Sequence, residues 1–190
     1  MTEEVEEVLF NAEEKMEKTM SALRDNFGSV RTGRASAMLL DRIRVDYYGV
    51  PTPINQMAGI KILEAHLLVI EPWDKTQLKP IEKAIKASSL GVTPSNDGMV
   101  IRLPFPPLTE ERRRELAKLC KGYAEDARVA VRNCRRDANT AVAKLVKDKD
   151  VLLPEDDQKR AEEKIQKLTD RFVAEVDEAY KKKEAELMEV

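Results

Sequence analysis

The 190-residue chain contains one histidine, His66, and two cysteines, Cys120 and Cys134. A single imidazole excludes His-rich metal sites and any catalytic arrangement that needs two histidines. Cys120 and Cys134 lie in one helical pattern at a separation of roughly 21 Å, taking ~1.5 Å per residue, which is too far for a disulfide. They read as small buried hydrophobes. A Walker loop, a CxxC pair and a GxSxG elbow are all missing. A Cys120–His66 or Cys134–His66 nucleophile pair is the remaining catalytic reading, and no motif supports it. No apolar run approaches the roughly 20 residues a membrane-spanning helix needs. The segment from Met1 to Glu7 is acidic where a secretory signal or transit peptide would be basic. The expectation is a cytoplasmic monomer with no catalytic residues, no cofactor, no metal and no membrane partner.

What the chain has is charge. Asp, Glu, Lys and Arg make up 36% of it, beside 42% hydrophobic residues, enough to bury a core beneath a heavily solvated exterior. Thr2 is a candidate N-cap for a first helix, whose apolar stripe runs Val5, Leu9, Ala12, Met16, Thr19, Leu23 and Asn26/Phe27 to Val30. After Val30 the period changes from helical to alternating: Ile43, Val45 and Tyr47 interleave with Arg42, Arg44 and Asp46, the signature of a half-buried strand punctuated by Gly49, Pro51 and Pro53. Short strands at Gly59 to Glu64, Leu67 to Glu71 and Met99 to Leu103, with a helix over Lys75 to Ser88, complete a small β-rich module.

Pro104-Phe105-Pro106-Pro107 is a stiff boundary. Thr109 then caps a second long helix running to Lys147, with a core stripe of Leu116, Leu119, Tyr123, Ala127, Ala130, Cys134, Ala138, Ala141 and Leu145. Pro154 opens a third, striped by Ala161, Ile165, Leu168, Phe172, Val176, Ala179 and Leu187. Three such stripes bury one another by packing side by side. The fold class is α+β: an elongated three-helix bundle from residues 1–30 and 106–190, with a β/α/β domain inserted at 31–105. The two chain crossings make a hinge at 31–34 and 104–107, placed on Arg31, Gly33, Pro104, Pro106 and Pro107.

Net charge is −5 over residues 1–30, +3 over 31–108, +4 over 109–150 and −4 over 151–190. The second long helix is thus the basic one. Arg114, Lys118, Lys121, Arg128, Arg132, Arg135 and Arg136 recur along it at steps of three and four, with Glu125 the one acidic residue in register. That ridge sits about 200° from the Leu116/Tyr123/Cys134 stripe and is expected to face solvent. It has two readings: a solvated face whose arginines pair with acidic neighbours, or a rigid row of cations that tracks RNA phosphates. Arg31-Thr-Gly-Arg34 also has two, a helix terminus with Gly33 beyond its end, or a phosphate clamp of Arg31 and Arg34. Tyr47, Tyr48 and Trp73 offer stacking surfaces, but aromatics in so small a module read as core.

Seven words in the sequence are similar to those of the bacterial ribosome recycling factors. They are RTGRAS at Arg31–Ser36, YYGVPTP at Tyr47–Pro53, EKAIKAS at Glu82–Ser88, PPLTEERR at Pro106–Arg113, ARVAVRN at Ala127–Asn133, RRDAN at Arg135–Asn139 and KEAELM at Lys183–Met188. The resemblance implies an L-shaped, two-domain, non-enzymatic factor. Its bundle would lie on large-subunit ribosomal RNA, and it would split post-termination ribosomes together with elongation factor G and GTP. It carries RNA-contacting roles onto Arg132, Arg128, Arg135 and Arg31. The sequence departs from the family pattern at Cys120 and Cys134, where aliphatic residues would serve, and in the turn between Gly91 and Gly98. A helical protein scaffold and an RNA-binding module not specific to the ribosome are the competing readings.

Overall fold

Three helices dominate the chain: α1 (Glu3–Ser29), α3 (Glu110–Lys147) and α4 (Glu155–Met188). They appear in a computed structural model that describes residues 2–148 and 153–189. A short α2 (Leu78–Ala87) lies between them in sequence, among six strands. The chain divides into two compact units, one of Met1–Phe27 with Lys118–Glu184, the other of Gly28–Ala117 with Ala185–Val190.

The first unit is helical. Val5 and Ala12 of α1, Ala138 and Val142 of α3, and Ala161 and Ile165 of α4 close into one apolar cluster. The α4 stripe is buried much as its periodicity predicts, through Ala161, Ile165, Phe172 and Val176. The α1 stripe is also buried as predicted at Val5, Ala12, Met16, Leu23, Phe27 and Val30, with Met20 buried in place of Thr19. The α3 stripe is rotated by one residue at several positions, Cys120, Ala124, Val131 and Val142 being buried where Leu119, Tyr123, Ala130 and Ala141 are predicted. Leu119 is exposed. The cause is physical, because a helix flanked by two partners buries a sector wider than a two-stranded seam, and small residues such as Cys120 and Ala124 let backbones approach at its centre. Thr109 caps α3 as expected, its hydroxyl accepting from the Arg112 N–H at 3.2 Å. Thr2 offers its carbonyl to the Glu6 N–H, but its hydroxyl finds no partner, so it is not a side-chain cap.

The second unit holds two sheets over a core that includes Leu40, Ile54, Leu68, Ile70, Ile81, Ile85, Ile101, Leu103 and Phe105. A four-stranded antiparallel sheet runs in the order β3 (Ala58–Glu64), β4 (Leu67–Pro72), β6 (Ile101–Pro104), β5 (Ser95–Asn96). Beside it, β1 (Arg44–Tyr47) pairs with β2 (Val50–Pro53), a strand where Pro51 and Pro53 read only as punctuation. A two-residue turn at Tyr48 and Gly49, with φ of 51° and 85°, closes this hairpin. From that turn the pairs Asp46↔Pro51 and Arg44↔Pro53 fall at the non-hydrogen-bonded positions. Both prolines therefore lack an N–H only where it would face away from β1, and the ladder loses nothing.

Three carboxylates in this unit titrate below their ordinary range. The Thr76 hydroxyl and N–H depress Asp74, Lys86 depresses Glu82, and the Val100 and Met99 N–H groups depress Asp97. A depressed carboxylate stabilises the fold above its unfolded pKa, ~3.9 for Asp and ~4.3 for Glu, and that contribution is lost as pH falls through the folded value. Acidification below about pH 4 is expected to loosen this unit. Asp97→Asn should make its unfolding less steep on the acid side, measured as the pH dependence of the unfolding midpoint; an unaltered slope would remove Asp97 from the account.

Candidate nucleic-acid interface

The α3 ridge is set by the helix itself. Lys121 and Arg132 each follow a buried residue, Cys120 and Val131, by one position, so the ridge turns about 100° from the core, not the 200° expected from sequence. The rotated core stripe accounts for the difference. It also means that the ridge runs along the flank of the bundle seam, and that its two edges differ.

On the inner edge stands Arg128, whose side chain is only 19% exposed. Its Nε and Nη2 donate to Asp177 Oδ1 on α4 at 2.8 and 2.7 Å, and its Nη1 to Glu125 Oε2 at 3.0 Å. Burial opposes its charge, but the bonds to Asp177 and Glu125 outweigh burial and raise its pKa. The expectation that the whole ridge faces solvent fails at this residue. Arg135 is also half-buried and donates to Gln166 Oε1 at 3.2 Å. On the outer edge, Arg132 is about half exposed and 3.5 Å from Glu125 Oε1. Arg114 is exposed and paired with Glu110 one turn earlier. Lys118, Lys121 and Arg136 are exposed, and no ion pair reaches them among the described residues. The ridge thus consists of free cations around a partly neutralised centre.

Arg31 and Arg34 are placed by the second unit. Arg31 is half-buried: Nη2 donates to the Pro106 carbonyl at 2.6 Å and the guanidinium lies 5.7 Å from the Phe105 ring centroid. Burial and the nearby Arg112 push its pKa down. Arg34 is exposed and bonds Glu189 at 2.9 Å.

Sequence reasoning missed the turn between β3 and β4, where Ala65 and His66 bind both chain crossings. The Ala35 N–H donates to the Ala65 carbonyl at 2.7 Å and the Phe105 N–H to the His66 carbonyl at 2.6 Å, while His66 Nδ1 bonds the Gly33 carbonyl. His66 is therefore a structural clip on residues 33 and 105. Tyr48 and Trp73, read as core, are 75% and 73% exposed. Tyr47 alone packs against the core, edge-on to Tyr48 at 4.7 Å.

Cys120 is buried and Cys134 half-buried, with burial raising the Cys134 thiol pKa, the opposite of nucleophile activation. Among the described residues no group of three or more His, Cys, Asp or Glu side chains could hold a metal ion, and no helix is long and apolar enough to cross a membrane.

A family model described as ribosome recycling factor matches residues 23–188. The chain belongs to the ribosome recycling factor family. The ribosome-recycling factor of Geobacillus kaustophilus is 57% identical over 184 residues, covering 97% of this chain and 98% of that protein. That of Oleidesulfovibrio alaskensis is 54% identical over 183 residues, covering 96% and 98%. A solution structure of the ribosome recycling factor matches over 100% of both chains with a TM-score of 0.82 at 41% identity. A second match, with a TM-score of 0.69 and 43% identity over 100% of both chains, is the T. thermophilus ribosome recycling factor, described with the E. coli elongation factor G bound to the E. coli post-termination complex. The α+β architecture of long helices and a small sheet module is that of ribosome recycling factors, a family of non-enzymatic translation factors.

Proposed function

We propose that this protein recycles ribosomes after termination by laying the outer edge of the α3 ridge along ribosomal RNA, with elongation factor G and its GTP hydrolysis supplying the free energy. The observation that carries the reading is the set Lys118, Lys121 and Arg136, exposed and unpaired on a 38-residue helix whose position is fixed by a buried seam. A rigid row of such cations neutralises successive phosphates with little ordering cost, and each contact releases counterions. Arg132 adds to the row, while Arg128 and Arg135 set its inner border. Arg31 and Arg34 meet phosphate only by leaving Pro106 and Glu189, so they rank second to the ridge in this reading.

The two crossings, which include Arg31, Gly33, Pro104, Pro106 and Pro107, serve as the hinge. The Ala65–His66 turn holds Gly33, Ala35 and Phe105 together and the Arg31 side chain holds the Pro106 carbonyl, so in this reading the two crossings are tied to each other and move together. The protein works as a cytoplasmic monomer in this reading, and the bundle binds while the module receives the push.

Cosedimentation with post-termination ribosomes, with and without elongation factor G and GTP, tests the assignment: binding should need neither, and subunit splitting should need both. Arg132→Ala should weaken ribosome binding and flatten the dependence of log K on log salt by roughly one unit. Unchanged affinity and salt response would sink the ridge reading. A scaffold that binds protein alone would give complexes indifferent to ribonuclease.

A further inference from the structure

Glu125 lies three residues before Arg128 and seven before Arg132, so two helical turns bring one carboxylate between two guanidiniums. Its Oε2 accepts from Arg128 at 3.0 Å and its Oε1 lies 3.5 Å from Arg132. The arginines are not equivalent. Arg128 has a second anchor in Asp177 at 2.7 Å and stays in place whatever Glu125 does. Arg132 has no other carboxylate partner among the described residues. Glu125 itself is 55% exposed, so water can take up its carboxylate if it turns away.

A carboxylate offers two acceptor oxygens and one negative charge to a pair of arginines, the same features that a phosphodiester offers with its two free oxygens. We propose that Glu125 is an internal competitor, occupying between Arg128 and Arg132 the place that an RNA phosphate takes when the protein binds, and so setting the affinity of the ridge. The inference rests on the ridge reading above. Arriving phosphate displaces Glu125 from Arg132 first, since that contact is the longer one and Arg128 remains held by Asp177. Stray RNA that engages only this point must displace a carboxylate and gains little. A backbone that also reaches Lys121 and Arg136 gains enough to displace it. Discrimination against unsuitable RNA is then built into the resting protein as a contact that must be broken.

The test is ribosome binding by the full chain at fixed salt, comparing Glu125→Gln with Asp126→Asn. The control removes the same charge one residue along, at an exposed position that touches neither arginine. Exposed pairs of this kind are modest, so Glu125→Gln should tighten binding by about two- to fivefold while Asp126→Asn shifts it much less. The gain should largely vanish when Arg132→Ala is added. An equal gain in both single variants, no gain, or a gain that survives Arg132→Ala would overturn the competitor role. If Arg132→Ala alone binds like the unaltered protein, the ridge reading fails as well, and that result separates the two failures. Circular dichroism at helix wavelengths should be unchanged in every variant, because all three side chains are substantially exposed.

Discussion

Neutralising Lys121, Arg132 and Arg136 together should reduce ribosome binding by roughly a hundredfold at ~0.15 M salt and flatten its salt slope by between two and three units. The magnitude follows from counterion release, in which each lost phosphate contact removes somewhat less than one unit of slope. None of the three side chains is buried, so the fold should stand: an undiminished thermal midpoint beside the lost affinity is the expected pair of results. A matched triple variant at Lys159, Lys164 and Lys167 on α4 removes the same charge from a helix that is acidic overall. It should cost several-fold less, and equal losses from the two sets would show that net charge, not the ridge, governs binding.

The second large effect concerns stability. Phe105 is 1% exposed in the core of the second unit, and Arg31 stacks on its ring. Phe105→Ala should destabilise the protein by about 3–5 kcal/mol, combining lost burial with the cavity left behind. It also removes the aromatic face under Arg31, whose Nε is already buried without a partner. Urea unfolding followed by circular dichroism measures this directly. A loss under about 1 kcal/mol would mean that the surrounding side chains collapse to fill the site.

The contrast between the ridge cations and Phe105 shows what is legible in sequence. The ridge cations could be read because they are local: helical spacing alone puts Lys118, Lys121, Arg132 and Arg136 on one face. So could the strands β3 and β4, the α2 region and the Thr109 cap, all governed by neighbours within a few residues. The partners of the arginines could not. Asp177 lies forty-nine residues from Arg128, Pro106 seventy-five from Arg31 and Glu189 one hundred and fifty-five from Arg34, and no periodicity specifies such pairs. Periodicity places the α1 core within one position, at Met20, but misplaces the α3 core by one residue repeatedly, because a heptad template assumes one neighbour and the helix has two. Tyr48 sits in the hairpin turn and Trp73 just past the end of β4, so aromaticity alone does not bury them. Phe105 lies in a proline-rich boundary, where nothing in its sequence setting distinguishes a linker residue from one of the largest fully buried side chains.

The hairpin prolines carry a consequence for solution behaviour. Pro51 and Pro53 occupy the outward-facing donor positions of β2, so the free edge of that ribbon has oxygen acceptors but is short of hydrogens to offer. Another chain laid against it could form only a broken ladder. In a concentrated preparation this edge should resist the strand-on-strand stacking through which exposed β-ribbons seed insoluble fibres, even though Tyr48 and Val50 leave apolar surface beside it.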